Sequence, residues 1–163
     1  MAYAGFWARF GALLIDSIIT GLMFVPAIIA VAAGPTRITR CSVDDAGNVT
    51  IGEQINSLCE VPTGGTIAAA ILLGLLALIG VLVYFAVLEG GPTGQTLGKR
   101  ALGIRVVDAS TGGPIGTGRA LGRYLFKSFI SGNICFLGYL WALWDGRKQT
   151  WHDKVVTSVV VRA

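Results

Sequence analysis

The sequence predicts an all-α membrane protein. It has two transmembrane helices, a third hydrophobic helical segment that either re-enters or crosses, and a small cytosolic β pairing. Three observations carry this. The 163 residues are 53% hydrophobic and 13% charged, with mean hydropathy +0.69, whereas soluble domains carry roughly 25% charged residues. Two apolar runs, residues 6–33 and 66–88, exceed the ~20 residues that a helix needs to cross a bilayer core. Two stretches rich in β-branched residues, 104–108 and 155–162, read instead as strands. The length fits one unit spanning 1–163.

Residues 66–88 contain no charge at all, and residues 6–33 contain only Arg9 and Asp16. In lipid, backbone amides must bond within their own segment, so helix is the default for such runs. Ala30-Val31-Ala32 resembles a signal-peptide cleavage site, but the run is too long and carries an acid, so a span is favoured. The segment between the spans, residues 34–65, is polar and punctuated by Pro35, Gly47-Asn48, Gly52, Pro62 and Gly64-Gly65. A short hairpin is expected about Gly47-Asn48, flanked by Ser42-Val43 and Thr50-Ile51. Cys41 and Cys59 share this loop, which suggests a disulfide if the loop faces an oxidising compartment. Cys135, in an apolar stretch, reads as a packing residue.

Charge orients the chain. The 34–65 loop holds two basic residues against four acids, whereas residues 89–163 hold ten against four. Positive residues are retained on the cytosolic side. The N-terminus and residues 89–118 are therefore expected in the cytosol, with the cysteine loop outside. A nucleic-acid role for the basic half is the weaker reading in so apolar a chain. Residues 119–145 are basic at both ends, with Arg119 and Arg123 before and Arg147, Lys148 and Lys154 after. That pattern favours a hairpin broken near Ser131-Gly132-Asn133 over a third span. It also lets strand 104–108 meet strand 155–162.

An ionisable residue inside a span costs about 2.5–3.5 kcal/mol on insertion scales and is a functional candidate. Arg9 is expected at the cytosolic interface beside Tyr3, Phe6 and Trp7. Asp16 lies about 10.5 Å deeper at 1.5 Å per residue, on the same side of the helix. Helical side chains lean toward the N-terminus, so Arg9 points away from Asp16. Asp16 is expected to find a basic or amide partner in the segment after Gly118, such as Arg123, Lys127 or Asn133. Its roles are then an interhelical lock or a proton- or cation-coupling site. Lys99, Arg100, Arg105, Arg119, Arg123 and Lys127 could hold anionic headgroups or a partner, at about 1 kcal/mol each near the surface. Gly98-Lys99 is no P-loop, lacking the earlier glycine and the following Ser or Thr. Trp151-His152-Asp153 reads as an interfacial anchor, with Asp153 capping or pairing with Arg147 or Lys148. The single histidine has no second metal ligand at suitable spacing, and no nucleophile pair is evident, so neither enzyme, metal nor cofactor is expected.

A first span with Arg9 and Asp16, then GQTLGKRALGIRVVD, GRALGRYL and GYLWALWDGRKQTWHDKVV, resembles the RDD family of bacterial and archaeal membrane proteins. The resemblance implies a multi-pass plasma-membrane location. It matches the family's arginine and first aspartate to Arg9 and Asp16, and its second aspartate to Asp153 or Asp145. It implies either a cation/proton antiporter or an accessory of a larger membrane machine. Few intramembrane charges and the lack of a repeated transporter half favour an accessory or scaffolding subunit, with other membrane subunits or further copies as partners. An oligomeric transporter using Asp16 is the alternative.

Overall fold

A computed structural model describes residues 2–43, 49–50, 57–131 and 137–163. The expected Gly47-Asn48 turn, the Gly132-Asn133 break and the environment of Cys135 lie outside the described residues. The chain divides into two compact units, Met1–Leu22 with Leu78–Ala163, and Met23–Ala77.

The first apolar run forms two helices, not one: α1, Phe6–Leu22, and α2, Val25–Ala33. Pro26 sits in the first turn of α2. In one continuous helix it would remove the amide that bonds to Leu22 and clash with that carbonyl. In a first turn the missing N–H costs nothing. The second run forms α3, Gly64–Gly90, and most of its apolar side chains from Ile67 to Val87 are exposed. Among the described residues, α3 is the one single helix long and apolar enough to cross a membrane, and α1 with α2 qualifies as a broken span.

The unit Met23–Ala77 adds a three-stranded antiparallel sheet that the sequence reading did not foresee in full. It comprises β1 (Thr36–Val43), β2 (Val49–Thr50) and β3 (Ser57–Pro62), in the order β2-β1-β3. Ser42 faces Thr50 and Val43 faces Val49, so the anticipated hairpin pairing is present. β3 then covers the other edge of β1, from Thr36↔Pro62 to Cys41↔Ser57. Cys41 and Cys59 are two rungs apart on these paired strands and form a disulfide with Cα atoms 6.0 Å apart. The turn into α3 is tied down by Thr66, whose hydroxyl donates to the Pro35 carbonyl at 2.7 Å.

In the other unit, β4 (Ile104–Asp108) pairs antiparallel with β5 (Ser158–Arg162), with Ile104 opposite Arg162 and Asp108 opposite Ser158. The expected strand at 155–162 is shorter because α7, Trp151–Val155, takes its first residue. Asp153 accepts from the Thr150 amide at 3.1 Å, a capping contact that starts α7. Ala4 N–H donates to the Val160 carbonyl and Arg162 N–H to the Ala2 carbonyl, each at 2.9 Å, so the N-terminal residues run beside β5. On the other side of the pair, the Val106 amide donates to the Gly94 carbonyl at 2.8 Å. Gly94 has φ +62°, and a Cβ there would sit 2.2 Å from the Val106 oxygen, so glycine is required. Ala4, Ala12, Ile104, Val106, Ile115, Ala120 and Val160 form the core beneath this ribbon.

α4 (Leu97–Ala101), packed on α1, precedes β4, and α5 (Thr117–Phe126) follows it. The 124–144 stretch is not one helix: α5 passes into a π-helical turn at Lys127–Ser131, and α6, Leu137–Leu140, precedes a 3-10 turn at Trp141–Leu143.

Candidate functional site

Helix α1 presents Arg9 and Asp16 to the same unit, and each is claimed by a different set of partners. Asp16 is buried. Its Oδ1 accepts from the Tyr84 hydroxyl and from the Gly98 amide, both at 2.8 Å, and its Oδ2 accepts from the Thr96 hydroxyl at 2.6 Å. Tyr84 also accepts from the Leu97 amide at 3.0 Å. One carboxylate thus ties α1 to α3 and to the start of α4. Gly98 makes this approach possible: a Cβ there would lie 2.3 Å from the Ala12 carbonyl oxygen and 2.8 Å from Asp16 Oδ1. Among the described residues neither Arg123 nor Lys127 is the expected partner, and the third candidate, Asn133, lies outside them. The described donors to this carboxylate are neutral: the Tyr84 and Thr96 hydroxyls and the Gly98 amide.

The cations are used elsewhere. Asp153 Oδ2 accepts from Arg9 Nη1 at 2.6 Å, and Asp153 Oδ1 accepts from Arg123 Nε at 2.9 Å and Nη2 at 2.6 Å. Arg123 Nη1 donates to Glu89 Oε2 at 2.5 Å, and Lys99 Nζ donates to Glu89 Oε1. A buried chain Arg9–Asp153–Arg123–Glu89–Lys99 results, linking α1, α7, α5, α3 and α4. Charges removed from water cost several kcal/mol each unless mutually paired, and alternating sign along this chain pairs them. Burial raises the Asp153 carboxyl, but Arg123 foremost, with Arg9, overcomes that and holds it well below the usual carboxylate range. Burial lowers the Lys99 ammonium to about 8 although Glu89 opposes the shift. Burial likewise pushes the His152 imidazole well below its usual value, against the pull of Asp153.

The expected pairing of Asp153 with Arg147 or Lys148 gives way to these longer-range partners, and His152 and Asp153 are buried within the fold. Asp145 stands apart. It accepts from Lys154 Nζ at 2.6 Å and from the Arg147 and Gln149 amides at 3.1 and 3.0 Å, closing the turn before α7. Of the six basic residues singled out, Lys99 and Arg123 are consumed in the buried chain. Arg119 bonds Asp108 at 2.5 Å and the Val156 and Thr157 carbonyls. Arg100 and Arg105 are exposed. Lys127 makes no ion pair among the described residues and lies 5.1 Å from the centre of the Phe85 ring. Sequence reasoning missed Glu89, Tyr84, Thr96 and Gly98. Glu89 was visible as the acid ending an uncharged span, whereas the three neutral residues gave no such signal.

Beside this chain is a cavity of about 180 Å³, lined by Arg9, Asp16, Lys127 and His152 with Phe10 and Leu13 among its apolar walls. The sequence model of the RDD family matches residues 3–157. The chain belongs to the RDD family. A relative named "Uncharacterized protein YxaI" from Bacillus subtilis is 32% identical over 158 residues, covering 97% of this chain and 96% of that one. The "Proline-rich antigen" of Mycobacterium leprae is 33% identical over 106 residues, covering 65% of this chain and 42% of that one. The "Proline-rich antigen homolog" of Mycobacterium tuberculosis is 45% identical over 71 residues, or 44% and 29% of the two chains. The matched stretch thus spans less than half of the length of these mycobacterial relatives. No solved structure matches the chain. Of the two aspartates that the resemblance left open, Asp153 meets Arg9 and Asp145 meets Lys154.

Proposed function

We propose that this RDD protein is a small multi-pass accessory or scaffolding subunit of a larger membrane complex, with no catalytic step of its own. The observation that carries the reading is the state of Asp16: three neutral donors saturate it, and Arg9, Arg123 and Lys99 are paired with other carboxylates. Such a carboxylate acts as a lock between helices. An ion-coupling site has to take up its proton or ion, and here uptake would have to displace one of the donors that already bond both carboxylate oxygens. The lengths of the relatives are in keeping with a portable module, since a similar sequence makes up nearly all of one chain and a minor part of others.

In this reading the N-terminus and residues 89–118 lie in the cytosol and the disulfide loop lies outside. Residues 119–145 enter and leave on the cytosolic side. The antiparallel pairing of β4 with β5 supports that arrangement, because it brings the two ends of this segment together. Arg100 and Arg105 then face anionic headgroups or a partner subunit. A cysteine introduced at Thr117 should label from the cytosolic side, and labelling from outside alone overturns the topology.

The rival is an oligomeric cation/proton transporter, favoured by one feature: Asp16 lines a cavity together with Lys99, whose ammonium is lowered to about 8. Purification from native membranes and proteoliposome flux separate the two. Co-purification with a large complex and no flux from the pure protein fit the accessory role. Flux that Asp16→Asn abolishes while the variant still folds sinks it, because an amide keeps hydrogen bonds but cannot carry a proton.

A further inference from the structure

The cavity beside the buried ion chain is lined both by apolar side chains, Phe10 and Leu13 among them, and by charged ones. Four cations line it, Arg9, Lys99, Arg123 and Lys127. The carboxylates within their reach are Glu89 and Asp153, both already paired, and Asp16, already saturated by neutral donors. One cation is left over. Lys127 is that cation, held against the Phe85 ring with no carboxylate partner among the described residues. A second vacancy lies on Arg9: its Nε donates to the Ala4 carbonyl and its Nη1 to Asp153, but its buried Nη2 has no hydrogen-bond partner. Buried donors of this kind are normally satisfied.

We infer that this cavity binds a phosphate-ester anion, with Lys127 and Arg9 Nη2 as the groups that hold it. The two donors come from different elements, α1 and the turn after α5, so the ligand needs oxygens on more than one side, as a tetrahedral phosphate has. Guanidinium and ammonium groups are the usual partners of such oxygens. Size restricts the rest of the ligand. A cavity of about 150 Å³ holds one benzene, so about 180 Å³ takes a phosphate and its first ester carbons but no acyl chain. Either a phospholipid headgroup, its tails outside, or free phosphate satisfies these terms. A net anion is required, which favours phosphatidylglycerol over the zwitterionic phosphatidylcholine. The site stands whether or not the protein serves a larger complex.

The test uses the full-length protein purified in neutral detergent, with binding read by native mass spectrometry and thermal shift. The probes are phosphatidylglycerol, phosphatidylcholine and inorganic phosphate. One phosphatidylglycerol per chain should bind on the order of tenfold more tightly than phosphatidylcholine, and Lys127→Gln should remove most of that preference. Lys127 lies outside the ion-pair chain, so this variant keeps the network that folds the unit, and Lys127→Arg should retain binding. Arg105→Gln, at an exposed cation outside the cavity, should leave the preference unchanged. Binding of inorganic phosphate that also depends on Lys127 supports the site and assigns it to the free ion. No preference for phosphatidylglycerol together with no phosphate binding overturns the inference. Equal loss in Lys127→Gln and Arg105→Gln overturns it as well, since it reports surface attraction alone.

Discussion

The two units of this chain are held together by different physics. In the unit formed by Met1–Leu22 and Leu78–Ala163, charged side chains do the fastening, and they do it across long stretches of sequence. Arg9 reaches Asp153, 144 residues away, and Arg123 reaches Glu89 and Asp153, 34 and 30 residues away. The unit Met23–Ala77 relies instead on backbone ladders and one covalent link of sequence separation 18. Side-chain networks require particular residues at each node, because a missing partner leaves a buried charge unpaired. Ladders require only extended backbone. The motifs GQTLGK, GRALGR and WHDK therefore fall in the first unit, and the second carries no comparable signature beyond its cysteines. Removing one node should accordingly cost far more in the first unit than opening the link in the second.

The largest expected effect is at Asp153. Asp153→Ala removes the carboxylate that Arg9 pairs with and leaves Arg123 with Glu89 alone, and breaking a buried ion pair costs about 3–5 kcal/mol. The folded yield in detergent should collapse, with a sharp drop in thermal midpoint in whatever protein remains. Asp145→Ala is the matched control, since its partner Lys154 is partly exposed. Equal losses in the two variants would mean that the buried chain is no more than a surface decoration.

These nodes were only partly legible beforehand. The long apolar helix α3 was, because an uncharged run of this kind has few stable alternatives in lipid. The β4–β5 pairing was, because Val106, Val107, Val159, Val160 and Val161 are β-branched and the turn-rich Thr111-Gly112-Gly113-Pro114 follows the first stretch. The break between α1 and α2 was written in Pro26 but was outweighed by the continuous apolar pattern. The partners of Asp16 were not legible, since a search for charge passes over a threonine hydroxyl, a tyrosine hydroxyl and a glycine amide. Gly98 shows its role only once the Ala12 backbone lies against it. Asp153 was matched to neighbours in sequence, whereas folding brought it cations from α1 and α5.

The second unit should give a smaller and local effect. Reduction of Cys41–Cys59, or the Cys41→Ser/Cys59→Ser pair, should cost about 3 kcal/mol of local stability for a loop of this length. Hydrogen exchange should quicken in β1 and β3 while amides of β4 and β5 stay protected. Two free thiols in non-reduced, alkylated protein would remove the disulfide from this comparison altogether. Faster exchange spreading to β4 would show that the two units share one cooperative transition.

The smallest effect tests the edge of the first unit, where an ion pair meets solvent. Arg119 is half-exposed and bonds Asp108 together with the carbonyls of Val156 and Thr157. Arg119→Lys keeps the charge but cannot reproduce the planar fork, and should cost no more than about 1 kcal/mol, as exposed pairs do. Its sharper signature is in pH. Hydrogen bonds from Ser110 foremost, then from Arg119 and the Thr111 amide, hold the Asp108 carboxyl well below its usual value. A carboxyl depressed in the folded state contributes stability above its unfolded value, near 3.9, and that stability is lost as pH falls through the folded value. The lysine variant moves the folded value back toward the unfolded one, so its thermal midpoint should fall less steeply than that of wild type as pH drops below about 4. Asp153 titrates alike in both proteins and cancels from the difference. Parallel pH profiles would mean that Ser110 and the Thr111 amide hold Asp108 without help, and that the arginine serves only the carbonyls at the end of α7.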